Sequence, residues 1–135
     1  MIDVNQNKMY RYLVLLTISS TLGLEAWLTL FNNFAVEAVG LEGNHIGIIQ
    51  SIREIPGFLT FLVVFVLLII KEHCLSALSI VILGLGMAAT GLLPTYFGLI
   101  FSTLIMSFGF HYFDTTCDSL TLQYFDEKTS HQAYP

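Results

Sequence analysis

Thr103, Ser107, His111, Asp114, Asp118 and Thr121 follow one another at intervals of four, four, three, four and three residues. In a helix that spacing puts all six on one face. Within the stripe, His111, Asp114 and Asp118 form a histidine–carboxylate set, the kind of grouping that relays a proton or holds a cation. Ligands from a single helix do not close a metal site, so no metal is expected here. Solvation at an interface and helix packing are the other uses of such a stripe. A second series, Thr21, Glu25, Thr29 and Asn32, advances by four, four and three. A third, Gln50, Arg53 and Gly57, advances by three and four, with Glu54 one residue round from Arg53.

Covalent catalysis has no comparable support. Cys117 lies six residues from His111 and faces differently on a helix. Cys74 and Cys117 are expected as free thiols on the reducing side of a membrane. No glycine-rich phosphate loop, serine-hydrolase elbow or zinc signature occurs, so neither an enzyme nor a cofactor is expected. Five Lys and Arg stand against ten Asp and Glu, a net charge of −5. That balance leaves no basic surface for nucleic acid.

The elements that must position these groups are apolar. The 135 residues are 55% hydrophobic and 11% charged, with a mean hydropathy of +0.74; soluble domains carry about 25% charge. Four apolar runs, at about 12–39, 46–70, 74–93 and 96–122, each exceed or approach the roughly 20 residues that cross a ~30 Å hydrocarbon core. The sequence therefore predicts an all-α, polytopic membrane protein with the lipid bilayer as its first partner. Residues 1–11 read as a cytoplasmic tail, and 123–135 as a cytoplasmic loop or truncated end. The first run is too long for a signal peptide and no small-residue cleavage site follows it. Short connections make successive helices antiparallel neighbours, and Pro94 marks a turn. Lys8, Arg11, Lys71 and Lys128 fall on one side of alternating helices, whereas 40–45 and 94–95 hold no Lys or Arg. The positive-inside rule then places both termini in the cytoplasm, in a multi-pass protein of the cytoplasmic (inner) membrane. Tyr10, Tyr12 and Tyr96 sit where interfacial aromatic anchors belong.

A charge in a membrane span costs about 2.5–3.5 kcal/mol on insertion scales, so the polar stripes of the first, second and fourth helices must face protein or water. The third run has no ionisable residue; its Gly84, Ala88 and Gly91 lie on one side and, like Gly57 in the second run, suit close helix packing. The expectation is that three helices converge on an aqueous path lined by Glu25, Asn32, Gln50, Arg53, Glu54, His111, Asp114 and Asp118, with the third helix behind them. Interhelical glue is the alternative use of the same stripes. Counting about 1.5 Å per residue from Tyr12 and from Ile46 puts Glu25 and Arg53 at nearly the same depth. The sequence thus predicts a Glu25–Arg53 salt bridge. The same arithmetic leaves His111 about 12 Å below Glu25, outside the pairing.

The stretch 27–51, WLTLFNNFAVEAVGLEGNHIGIIQS, resembles the first loop of major facilitator superfamily transporters. There an aromatic-rich helix 1 ends in Gly-Leu, and Ile-Gly opens helix 2; Gly40-Leu41 and Ile46-Gly47 occupy those places. The fourth run's exit, FGF at 108–110 and QYFDEK at 123–128, is similar too. The loop 70–76, IKEHCLS, lacks that family's glycines, Asp-Arg pair and basic run, and the fourth helix lacks the arginine of many proton antiporters. No proton-antiporter residue is therefore carried over. The resemblance implies helices 1–4 of a twelve-helix fold built from inverted repeats. It also implies a fragment of a secondary active transporter that moves a small-molecule solute, with or without a coupling ion, by alternating access. The missing transmembrane helices of the full-length protein would then be partners, and HQAYP at 131–135 would end where a loop to helix 5 is expected. The alternative is a non-transporting four-helix membrane protein or accessory subunit.

Overall fold

A computed structural model describes residues 4–132, with side chains over 7–123. Its elements are α1 (Val4–Glu37), α2 (Gly43–Arg53), α3 (Ile55–Phe58), a 3-10 turn (Thr60–Leu62), α4 (Val63–Leu67), α5 (Glu72–Leu92) and α6 (Tyr96–Gln132). Among the described residues no strand occurs. Four stretches are long and apolar enough to cross a membrane: Asn7–Glu37, Gly43–Leu67, Glu72–Leu92 and Tyr96–Gln123. The protein is all-α, polytopic and integral to a membrane. Large apolar side chains such as Phe58, Leu68, Ile69 and Phe97 point outward, as lipid-facing positions do.

Helix extent differs from the sequence reading at both ends. The first helix begins at Val4 instead of near Tyr12, and the last continues to Gln132 instead of giving way to a loop at 123. Polar residues there carry the helices past the apolar segments, because backbone hydrogen bonding does not stop where hydropathy does. The Lys128 side chain and residues 133–135 lie outside the described residues.

Local chemistry sets the turns. Gly40 takes a left-handed φ of 73°, which L side chains resist. Its N–H and that of Leu41 close back on the carbonyls of Val36 and Ala35. Thr95 caps α6: its Oγ1 accepts the Gly98 N–H at 3.0 Å. The spans alternate in direction. At one end the Tyr12 hydroxyl donates to the His73 carbonyl at 2.7 Å, and the Gln123 amide donates to Glu72 at 2.7 Å. At the other end the His45 and Tyr96 rings meet edge to face, 5.2 Å apart.

The tightest packing joins α5 to α6. A Cβ added at Gly86 would lie 2.6 Å from the Met106 Cα, and one at Gly109 would lie 2.7 Å from the Ser79 carbonyl oxygen. Both glycines therefore mark backbone-on-backbone contact. The α5 face in this seam is Leu75, Ser76, Ser79, Leu83, Gly86 and Thr90. This corrects the expected packing face: Gly84, Ala88 and Gly91 are exposed. An added Cβ at Gly84 or Gly91 would meet nothing within 4 Å. Serine and threonine serve as small packing residues here, and a reading that counted glycine and alanine alone picked a stripe rotated from the true one.

Trp27, Phe31 and Ala35 of α1 close the core against Ile49, Leu83, Leu99 and Met106. Trp27 stacks on Phe31 at 4.4 Å. Its indole N–H donates to Thr90 Oγ1 at 3.1 Å, and Thr90 donates in turn to Ser102 at 3.2 Å.

Candidate functional site

The second span is not the continuous helix that its apolar run predicts. Pro56 has no N–H to return to the preceding turn. The chain resolves this with short closures: the N–H groups of Gly57, Leu59 and Leu62 donate three residues back, to Glu54, Pro56 and Leu59, at 3.1, 3.1 and 3.0 Å. In a regular helix the Gly57 N–H would serve the Arg53 carbonyl. Here that carbonyl instead accepts the hydroxyl of Ser107 on α6. A hydroxyl of the α6 stripe thus supports the interrupted backbone of its neighbour.

Arg53 and Glu54 flank the break. Arg53 Nε and Nη2 both donate to Glu54 Oε1, at 3.0 and 2.7 Å. Among the described residues this is the only salt bridge. The predicted Glu25–Arg53 pair does not form. α1 packs on α5 and α6 more than on α2. Leu24 and Leu28 are the α1 side chains that share a cleft with Arg53, and Glu25 stands one position, about 100°, round from Leu24. Burying Trp27, Phe31 and Ala35 fixes that rotation, and it leaves Thr21, Glu25, Thr29 and Asn32 exposed on the outer side. The expected convergence of three polar faces is not found: α1 contributes leucines beside Arg53, Glu54, Ser107 and His111.

A cleft of about 200 Å³ opens at the break, lined by Leu24 and Leu28 of α1, Arg53 and Glu54, and Met106, Ser107, Phe110 and His111 of α6. His111 belongs to it, contrary to the depth arithmetic. α2 starts at Gly43, so Arg53 lies about 15 Å along its span, while Ser107 lies about 16 Å along α6 and His111 one turn further. The imidazole rests on Gly57, where an added Cβ would sit 3.1 Å from His111 Cε1. Gly57 is thus a close-approach position.

The α6 stripe divides along its length. Thr103 and Ser107 are buried, His111 is half-buried, and Asp114, Asp118 and Thr121 are exposed. Gln50 is half-buried one turn before Arg53, outside the cleft lining. Cys74 and Cys117 are free thiols, Cys117 lying 3.4 Å from the Thr17 hydroxyl. Among the described residues no three His, Cys, Asp or Glu side chains gather as a metal site. The apolar walls and Pro56 were absent from the predicted site; a Pro-Gly pair inside an unbroken apolar run is the signal that marks the break.

The chain matches no protein-family model, no curated protein and no solved structure.

Proposed function

We propose that these four spans belong to a secondary active transporter, of the major facilitator type that stretch 27–51 resembles, which moves a small solute by alternating access. The observation that carries this reading is the interrupted second span with its charged pair about halfway across a ~30 Å core. Discontinuous helices near the midplane, with freed backbone groups and paired charges around a cavity, are the recurring build of transporter binding sites. The exposed Glu25, Asp114 and Asp118 support further transmembrane helices, or water, against those faces. The protein sits in the cytoplasmic membrane with both termini inside, and it carries out no covalent chemistry.

The buried Trp27–Thr90–Ser102 chain favours a second reading. Four spans that satisfy one another's polar groups could serve as a non-transporting accessory subunit.

Cysteine accessibility separates the two. In a background with Cys74→Ser and Cys117→Ser, single cysteines at Leu24, Leu28 and Phe110 are exposed to a membrane-impermeant thiol reagent, in intact cells and in inverted vesicles. Alternating access gives labelling from both sides. No labelling from either side makes the cleft a packing defect and the accessory reading correct.

A further inference from the structure

Resting on the transporter reading above, we infer that the cleft takes a small, net-neutral solute bearing a hydrogen-bond acceptor beside a donor, of which a primary carboxamide is the simplest form. Charge is the first ground. Arg53 is the only Lys or Arg within the four apolar runs, and Glu54 already neutralises it through two N–H groups on one oxygen. An anion on the open Arg53 donors is repelled by the Glu54 carboxylate beside it, and a cation on Glu54 is repelled by the Arg53 guanidinium. Either ion adds an uncompensated charge, at membrane depth, to a pair that is already neutral. A neutral solute leaves the pair intact.

The open valences of the pair are the second ground. Arg53 Nη1 and Glu54 Oε2 make no hydrogen bond to the described residues. The pair therefore still offers donors from one side chain and an acceptor from its neighbour. The His111 imidazole nitrogens likewise have no partner among the described residues, and a neutral imidazole adds one donor and one acceptor. A carboxamide answers an adjacent donor and acceptor with its own C=O and NH₂. Size is the third ground. About 200 Å³ falls below the roughly 300–1,000 Å³ of common ligand pockets, and Leu24, Leu28, Met106 and Phe110 suit a short hydrocarbon tail.

The test uses the full chain in phosphatidylcholine nanodiscs at one fixed pH and constant ionic strength. Three probes of one chain length are compared by the shift each gives in Tm: butyramide, butyrate and butylammonium. A bound ligand raises Tm with its concentration. The expected result is that butyramide stabilises the wild type at concentrations at least tenfold below either ion. Glu54→Gln, which leaves Arg53 unpaired, should switch the preference to butyrate, and Arg53→Gln should switch it to butylammonium. If an ion stabilises the wild type better than butyramide, or if the variants bind their ions and the wild type binds no probe, the neutral class is overturned while the solute cleft stands. If no probe shifts the wild type or either variant, the cleft is not a solute site and the transporter reading fails with it.

Discussion

Glu54 holds two guanidinium N–H groups on one oxygen, and that arrangement makes the two members of the pair unequal to lose singly and nearly free to lose together. Arg53→Gln strands a carboxylate and should cost about 1–3 kcal/mol, less than a fully buried pair because the side chains are 26% and 53% exposed. Arg53→Gln combined with Glu54→Gln should recover most of that loss. Chemical denaturation in mixed micelles measures both. The charge swap Glu25→Arg with Arg53→Glu should show no rescue, with a coupling energy within about 0.5 kcal/mol of zero; a clear recovery would restore the abandoned inter-helix bridge. The residue scale also shows what the sequence carried. Where Glu25 falls along α1 was legible from counting, since helix rise is constant. Its direction was not, because rotation about the helix axis is decided by where Trp27, Phe31 and Ala35 find apolar partners, and that is a tertiary fact.

Elements differ in how they meet. At the break, Pro56→Ala restores an N–H donor and favours a straight second span. Ser107→Ala should cost about 1 kcal/mol in the wild type through the lost bond to the Arg53 carbonyl. In the Pro56→Ala background the same change should cost close to nothing, because the Gly57 N–H can then serve that carbonyl. A double-mutant cycle on unfolding free energies reads the difference, and equal costs in both backgrounds would show that the break does not free the carbonyl. In the α5–α6 seam, Gly86→Ala and Gly109→Ala force backbones apart and should each cost about 1–3 kcal/mol. Gly84→Ala and Gly91→Ala meet open space and should be neutral or stabilising by up to about 1 kcal/mol through helix propensity. Equal effects at the four glycines would return the packing face to the stripe first read from sequence. Four spans were legible because apolar length is a one-dimensional property. The break was less so: its warning is one Pro-Gly pair, and hydropathy passes over it unchanged.

Across the whole molecule, the alternation of spans ties together what the loops separate. Tyr12 meets His73 and Gln123 meets Glu72 at one end, the end that also holds Lys8, Arg11 and Lys71 in the chain. With both termini in the cytoplasm, as proposed, alkaline phosphatase fused after Glu42 or Pro94 should be active, and fused after Lys71 it should be inactive. The reverse pattern would invert the protein and move its basic end outward. The Lys and Arg distribution predicts a direction of threading, because insertion responds to charge in short loops, and those fusions test it. The pairing of spans was not legible, because the α5–α6 seam depends on small hydroxyl side chains that also occur on lipid-facing and cavity-facing surfaces.

Trp27 is the chain's only tryptophan, and it is buried, stacked on Phe31 and hydrogen-bonded to Thr90. Its next neighbour, Leu28, lines the cleft. The protein therefore contains a single indole fluorophore, which can be excited apart from its tyrosines, at the junction of α1 with the α5–α6 pair and one residue from the cleft. Undocking of α1 would hydrate the indole and move its emission to longer wavelength, with no label attached. The optical signal of the unmodified protein is thus a gauge of whether the first helix stays in place while the cleft is filled or emptied.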